Sequence, residues 1–195
     1  MITLYDAARC PFCARARIVL AEKSIEHETV AVDLDERPDW IVELNPPDGR
    51  VPVIEQPGKP LLPESRVVMR YLDECFAEPA LMPDTPEERA LVDLAFEQFE
   101  RRVSNPYYRL KSGRAGVEEL EIGLTELDAV LDQHDYLVGS SYSLADIAYV
   151  PWIIRAELLL DVPVRDYGNL AAWLERLETR PAIQAEMSVV GGLAV

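Results

Sequence analysis

The sequence predicts two domains, a small α/β domain at residues 1–76 and an all-helical domain at residues 86–195. Three observations predict this division. Strand and helix patterns alternate in the order βαβ–αββα through the first third of the chain, which is typical of one small mixed sheet with covering helices. A proline-rich stretch at residues 77–85 then has the composition of a linker. After it strand patterns nearly vanish, and apolar residues recur at helical spacing.

The elements of the first domain follow from short apolar runs and from residues that begin helices. Pro11 suits the first position of a helix because it lacks an N–H group, and Ser65 can cap a later helix. Gln56-Pro57-Gly58 is typical of a hairpin turn. The predicted strands are 1–5, 28–32, 51–54 and 59–62, and the predicted helices are 11–23, 38–44 and 65–76.

The helices of the second domain are predicted by apolar periodicity and by capping boxes. Thr85 with Glu88, and Ser143 with Asp146, have the spacing at which two side chains satisfy the free N–H groups of a helix start. The segment after Ser143 is apolar all round and is expected to be a central buried helix. Pro106 is expected to end or kink the first helix. The predicted helices are 86–104, 117–131, 144–160 and 169–179.

Composition and charge exclude several classes of function. The 195 residues carry 35 acidic and 19 basic side chains, a net charge of −16, so the surface repels phosphate backbones and anionic lipid. We therefore expect no nucleic-acid and no membrane partner. No signal peptide and no bilayer-spanning apolar stretch are visible, which predicts a cytoplasmic location. Three cysteines imply no disulfide framework, and Cys75 is interpreted as a passive, half-buried thiol.

Cys10 and Cys13 form a C-x-x-C pair where the first strand turns into the first helix. A helix N-terminus presents free N–H groups and a partial positive charge, which stabilise a thiolate. The pKa of Cys10 is therefore predicted to fall below the ordinary ~8.5, and Arg9, Arg15 and Arg17 add positive charge nearby. Such a nucleophile needs no histidine as general base.

Two other interpretations of the C-x-x-C pair stay open. One is half of a zinc site, although such a site needs four ligands and the sequence has no second C-x-x-C or H-x-x-x-H. The other is a pair of idle thiols. Redox or nucleophilic use is favoured, because a strand, a C-x-x-C pair and a helix in this order are typical of the thioredoxin-like fold. No metal is expected.

Two further pairs have the chemistry to contact a peptide-like ligand. A cis bond between Val51 and Pro52 would aim the Val51 backbone at a ligand, but cis forms are only ~5–6% of X–Pro bonds, and an edge-strand proline is the plainer interpretation. Glu64 and Ser65 either cap the third helix or bind an α-amino acid group. In the second case Ser65 and the helix N–H groups hold a carboxylate, and Glu64 holds the ammonium.

These motifs, in this order and spacing, resemble the glutathione transferase superfamily over almost the whole chain. The most similar members are of the cysteine type, the omega class and glutaredoxin 2-like proteins, which carry a cysteine where other classes have serine or tyrosine. The resemblance implies a thioredoxin-like N-terminal domain, glutathione as co-substrate, and a homodimer packed through the third and fourth helices. It rests on Cys10-Pro11-Phe12-Cys13, Asn45-Pro46, Val51-Pro52, Pro63-Glu64-Ser65, Tyr71-Leu72-Asp73 and Ser143-Leu144-Ala145-Asp146-Ile147.

The resemblance also implies a role for individual residues. Cys10 faces the glutathione sulfur, and Arg37 reaches the glycine carboxylate. Val51 pairs with the cysteinyl backbone before a cis Pro52, while Glu64 and Ser65 hold the γ-glutamyl end. The glutathione-binding residues implied in full are Phe12, Arg37, Val51, Pro52, Glu64 and Ser65.

Cys13 departs from the omega pattern, where a small non-cysteine residue is common. It allows a dithiol route in which Cys13 resolves a mixed disulfide on Cys10, so monothiol and dithiol chemistry both stay open. The predicted function is a glutathione-dependent thiol transferase that reduces small oxidised, electrophilic or disulfide substrates. The alternative is a binding protein of the same fold that is similar to stringent starvation protein A and acts on RNA polymerase. The two cysteines favour the enzyme, because that group generally lacks the active-site cysteine.

Overall fold

The computed structural model describes residues 1–76 and 78–193, and the chain divides into two units, Met1–Pro79 and Ala80–Val195. The first unit contains a mixed sheet covered by helices, and the second is helical, which confirms the predicted fold class. Ala77, the first residue of the predicted linker, lies outside the described residues, as do Ala194 and Val195 at the end of the predicted second domain.

The sheet of the first unit has the strand order β2-β1-β3-β4, so β1 lies inside it. β1 is parallel to β2 and antiparallel to β3, and β3 is antiparallel to β4. Because Tyr5 of β1 pairs with Val53 of β3, the chain before β3 passes the end of β1. The elements are β1 Ile2–Asp6, α1 Pro11–Glu22, β2 His27–Ala31, α2 Asp39–Leu44, β3 Val53–Glu55, β4 Leu62–Pro63 and α3 Ser65–Cys75.

Prolines shift two predicted strands of this sheet. The predicted hairpin turn is present, with the Lys59 N–H donating to the Gln56 carbonyl at 3.0 Å. β4 occupies only Leu62–Pro63 instead of residues 59–62, because the Lys59 N–H is used in the turn and Pro60 has no N–H to pair. β3 begins at Val53 and not at residue 51, since the proline before it cannot donate to the ladder.

Lys23, directly after α1, is a fully buried cation that holds the end of α3. Its Nζ lies 2.8 Å from Asp73 Oδ1 and donates to the carbonyl oxygens of Phe76 at 2.5 Å and Pro79 at 2.7 Å. A buried ammonium is costly unless such partners surround it. The three oxygens therefore tie the first helix to the point where the chain leaves this unit.

The second unit is organised around α7, whose residues from Leu144 to Ala156 are all buried. The capping box of Ser143 and Asp146 is present at its start, so the predicted central buried helix is confirmed. The helices of this unit are α4 Pro86–Phe99, α5 Asn105–Lys111, α6 Glu118–Leu131, α7 Leu144–Leu160, α8 Gly168–Glu178 and α9 Pro181–Gly191.

The predicted helix at 86–104 is interrupted by a wide π-helical segment, Glu100–Ser104, which joins α4 to α5. Pro106 has no N–H to bond the carbonyl of Arg102 four residues earlier, which accounts for the irregular turn. The Arg102 carbonyl lies against α6 at Gly123, where a Cβ atom would stand only 1.7 Å from that oxygen. Only glycine therefore allows α6 to approach this segment.

The chain differs from the expectations from sequence at α9 and at Cys75. α9 was not predicted, because Pro181 was interpreted as the end of α8, whereas it occupies the first position of a new helix. Cys75 is exposed and not half-buried, since it is the last residue of α3. Within residues 1–76 and 78–193, no helix has both the length and the apolar character to cross a membrane. The cytoplasmic location stays a prediction.

Candidate active site

The turn between β1 and α1 places the sulfur of Cys10 at the start of a helix. The Cys10 N–H donates to the Ala7 carbonyl at 2.9 Å, and its carbonyl accepts the Ala14 N–H at 3.1 Å as the first bond of α1. Pro11 occupies the first helical position. The side chain of Cys10 makes no capping hydrogen bond and is half-buried. The N-terminus of α1 is thus formed without using this sulfur as its cap.

Arg17 fixes the loop that leads to Cys10. Its Nη1 lies 2.5 Å from Asp6 Oδ1, in a pair whose side chains are 18% and 10% exposed. The same guanidinium donates to the carbonyl of Ala7 at 3.4 Å and of Ala8 at 3.2 Å. One cation therefore holds the end of β1 and the next two residues in place.

Cys13 lies one helical turn further on and is completely buried. Burial raises the pKa of its thiol well above the ordinary value. A hydrogen bond with Cys10 and the negative charges of Cys10 and Asp6 raise this pKa further, while the Ala7 backbone opposes the rise. The Cys13 thiol therefore holds its proton more strongly than a free cysteine does, and the two cysteines have different environments.

Val51 faces Cys10 from the segment before β3. Its carbonyl oxygen lies 3.9 Å from Cys10 Sγ, which is hydrogen-bond distance for a thiol donor. The peptide bond between Val51 and Pro52 is cis, the form that the family resemblance implied. Val51 is half-buried and Pro52 is buried, so backbone and sulfur meet at the edge of the unit's interior.

Glu64 and Ser65 form the start of α3. Glu64 is exposed and has φ 70°, a conformation that non-glycine residues rarely adopt and that is common at functional sites. Ser65 is 5% exposed, and its Oγ accepts a hydrogen bond from Arg15 Nη1 at 3.2 Å. The Arg15 guanidinium carbon also lies 5.3 Å from the centre of the Phe12 ring. Arg15 thus links the first turn of α1 to the start of α3.

Arg37 and Arg9, the other arginines considered from sequence, contact residues of neighbouring loops. Arg37 is exposed, and its Nη1 donates to the Asp48 carbonyl at 2.8 Å. Arg9 pairs with Asp35 at 2.7 Å, and the pKa of its guanidinium is raised by that bond first and more weakly by the charge of Cys10. Contacts between these side chains and a ligand stay predictions.

The structure brings Cys10, Cys13 and Val51 into one contact group, and Ser65 and Phe12 into a second one through Arg15. The sequence indicated Arg15 only as a source of positive charge near Cys10. Its place on the apolar face of α1 could have been predicted, because it lies three positions after Phe12 and four before Val19. In the part of the chain that is described, no three His, Cys, Asp or Glu residues are grouped to hold a metal ion.

Family models match both units of the chain. The model described as "Glutathione S-transferase, N-terminal domain" matches residues 4–80, and the one described as "Glutathione S-transferase, C-terminal domain" matches residues 89–176. Together these matches cover most of the 195 residues.

Individual relatives agree with these models. The chain is 32% identical to glutathione S-transferase omega-1 of Sus scrofa over 95% of its length and 80% of that protein. It is 31% identical to pyrimidodiazepine synthase of Drosophila melanogaster over the same shares. Among solved structures, glutathione transferase Omega 1C of Trametes versicolor superposes with a TM-score of 0.84 at 25% identity, covering 99% of this chain and 94% of that one.

Proposed function

Because the chain belongs to the glutathione S-transferase family, we propose that it is a cysteine-type glutathione transferase in which the Cys10 thiolate exchanges disulfides with glutathione. The relatives named omega-class glutathione S-transferases support transferase or thiol-transferase activity. They do not favour the alternative of a polymerase-binding protein similar to stringent starvation protein A.

The observation that carries this proposal is the different environment of the two sulfurs. Cys10 is half-buried at the N-terminus of α1, whose free N–H groups stabilise negative charge. Cys13 is buried, and its raised pKa keeps it protonated as a donor to Cys10. Thiol–disulfide exchange requires an attacking sulfur that is accessible and ionised. The environment of Cys10 supports this role, and the environment of Cys13 does not.

The proposed reaction has two exchange steps. The Cys10 thiolate attacks the glutathionyl sulfur of a mixed disulfide, forms a Cys10–glutathione disulfide and releases the substrate as a thiolate, which takes up a proton. A second glutathione thiolate then attacks the glutathionyl sulfur on Cys10. Oxidised glutathione leaves and the Cys10 thiolate returns, so one substrate disulfide is reduced as two glutathione sulfurs are joined.

Glutathione is proposed to lie across the start of both helices. The Val51 backbone, next to Cys10, pairs with its cysteinyl part, and Ser65 with the α3 N–H groups holds the γ-glutamyl carboxylate. Glu64, exposed beside Ser65, takes the ammonium, and Arg37 takes the glycine carboxylate. The second substrate is proposed to be a small electrophile or disulfide.

We propose that Cys13 is dispensable when the substrate is small. Its burial and raised pKa make it a poor nucleophile in this conformation, which supports the monothiol route. We expect Cys13→Ser to retain turnover of small glutathionylated thiols within about threefold and to lose more with protein disulfides. Both activities are measured by coupled oxidation of NADPH. Equal and total loss of both would contradict this ordering.

Mass spectrometry after incubation with oxidised glutathione tests the proposal directly. We expect one glutathione adduct on the wild-type chain, located on Cys10 by peptide mapping, and none in Cys10→Ser. The matched control is Cys75→Ser, which removes an exposed thiol that has no proposed role and leaves the adduct unchanged. An adduct that persists in Cys10→Ser and disappears in Cys75→Ser would refute the proposed nucleophile.

The family is usually dimeric, and we propose a homodimer that packs through α3 and α4. Apolar side chains on these helices are exposed, with Val67 at 47%, Leu91 at 51% and Leu94 at 48%. We expect a Leu91→Glu, Leu94→Glu variant to be a monomer in sedimentation velocity. Ile122→Glu, which charges a 62% exposed residue of α6, is the control and remains dimeric. A monomeric wild-type chain would contradict this proposal.

A further inference from the structure

Arg15 is a buried arginine between the two ends of the proposed glutathione site. It is 3% exposed, its Nη1 donates to Ser65 Oγ at 3.2 Å, and its guanidinium carbon lies 5.3 Å from the centre of the Phe12 ring. We infer that Arg15 is a positioning residue that orients the Ser65 hydroxyl toward the γ-glutamyl carboxylate of glutathione. This inference rests on the proposed function.

The hydrogen bond from Arg15 decides what the Ser65 hydroxyl can do. A serine hydroxyl has one proton to donate and two lone pairs to accept with, whereas a guanidinium only donates. Since Arg15 fills a lone pair of Ser65 Oγ, the proton of that hydroxyl points away from Arg15. A carboxylate at the start of α3 is a matching acceptor for it.

The charge of Arg15 favours the same ligand group. A guanidinium stays protonated in proteins, and its charge acts more strongly when it is shielded from water. The N-terminus of α3, which begins at Ser65, adds a partial positive charge. Glu64 beside it is exposed and negative, so the two charges together suit an α-amino acid group and not a lone carboxylate.

Phe12 fixes the guanidinium relative to the reactive sulfur. The cation–π contact of Arg15 with the Phe12 ring restricts where its N–H groups point. Phe12 lies in the first turn of α1, two residues after Cys10. The direction of the Ser65 hydroxyl is thus set by the same helical turn that holds the sulfur.

The experiment compares glutathione with cysteinylglycine, which has the reacting thiol but no γ-glutamyl group. Thiol-transferase kinetics are measured with both thiols for the wild type, Arg15→Met, Ser65→Ala and the double variant. We expect Arg15→Met to raise KM for glutathione about tenfold and to change KM for cysteinylglycine less than about twofold, with kcat retained. Because the main effect of Arg15 passes through Ser65, the double variant is expected to raise KM for glutathione far less than the product of the two single effects.

Two outcomes would overturn the inference. An equal rise of KM for both thiols would mean that Arg15 merely supports the fold, and full additivity of the two substitutions would mean that it acts without Ser65. Failure of the proposed function is a separate result, since the wild type would then turn over neither thiol. Arg165→Met is the control, because Arg165 pairs with Glu157 and Glu178 outside the proposed site.

Arg15→Lys covers the case in which Arg15→Met does not fold, as judged by circular dichroism. Lysine keeps the positive charge but loses the planar fork that contacts Ser65 and Phe12 together. We expect a rise of KM for glutathione of about threefold, with KM for cysteinylglycine unchanged. A lysine variant that folds and shows no such selectivity would overturn the inference.

Discussion

The N-termini of α1 and α7 differ in what lies against their free backbone N–H groups. At α7, Ser143 and Asp146 form a capping box, and the Asp146 carboxylate also accepts hydrogen bonds from the Leu137 N–H at 3.0 Å and Trp173 Nε1 at 2.8 Å. At α1, Pro11 reduces the number of free N–H groups, and the Cys10 side chain makes no cap. The start of α7 is bonded to buried protein groups, whereas the start of α1 keeps its partial positive charge beside the Cys10 sulfur.

The difference teaches that a helix start can serve stability or chemistry, depending on which side chain precedes it. A carboxylate that is already bonded to several N–H groups has no capacity left for a ligand. A cysteine side chain before a helix accepts only weak hydrogen bonds, so the partial charge of the helix remains available. Variants at the two starts are therefore expected to differ in what they lose, turnover at α1 and folding stability at α7.

Cys10→Ser is expected to have the largest effect, and on turnover alone. Serine keeps the shape of the α1 start but supplies no thiolate, so turnover with glutathionylated thiols falls on the order of a thousandfold or more. The free energy of unfolding in urea is expected to change by less than about 0.5 kcal/mol, because the sulfur is half-buried and is not a cap. A clearly destabilised Cys10→Ser would remove the contrast between the two starts.

Asp146→Ala is expected to have the next largest effect, and on stability alone. It leaves the N–H groups of Leu137, Ser143 and Trp173 without their buried acceptor, at about 1–3 kcal/mol each. We expect a total loss of about 3–5 kcal/mol in urea unfolding. Turnover per folded molecule is expected to stay the same. Ser143→Ala, which removes one capping side chain, is the milder control at about 1 kcal/mol.

Cys13→Ala is expected to have a smaller effect, which is a change in how the reactivity of Cys10 depends on pH. It removes the donor beside Cys10, so the pH profile of Cys10 alkylation by iodoacetamide moves upward by less than about one unit. Cys13→Ser keeps a donor and is the matched control. A profile that moves downward in Cys13→Ala would show that the buried thiol does not stabilise the Cys10 thiolate.

The smallest expected effect is on the free energy of unfolding at high pH, where the wild type and Cys13→Ala are compared. Because the pKa of Cys13 is raised above its ordinary value, the folded chain keeps this proton where the unfolded chain releases it. The contribution of Cys13 to stability is therefore complete below the ordinary ~8.5 and is lost as the pH rises toward the raised pKa. We expect the wild type to lose stability faster than Cys13→Ala above that pH in urea unfolding. Parallel curves would contradict this.

The sequence predicted an element of the fold well where a local pattern is compatible with only one kind of secondary structure. The box of Ser143 and Asp146 and the apolar run after it identified a buried helix, because few other structures suit that pattern. Proline was harder to interpret, since it is equally suited to follow one helix and to begin the next. Pro181 was therefore not recognised as the start of α9. Pro106 predicted an end or a kink but not the π-helical form of the segment before it.

The position of Cys10 at a helix start could be predicted from sequence, whereas the side chains that hold its surroundings could not. The position of Cys10 followed from the strand and helix around it, because the turn between them is local. The ion pair of Asp6 with Arg17 and the contact of Arg15 with Ser65 join residues 11 and 50 positions apart. No periodicity specifies the partner of a buried arginine, because that choice depends on how helices and strands pack in three dimensions.

The buried ammonium of Lys23 makes amine chemistry on this chain unusually informative. The other two lysines, Lys59 and Lys111, are exposed, so dyes, cross-linkers and resins that react with amines attach there or at the chain terminus while the protein is folded. Lys23 becomes accessible to reagent only when α1 separates from the end of α3. The ratio of label on Lys23 to label on Lys59 thus measures the opening of the first unit, with an exposed native lysine as the reference.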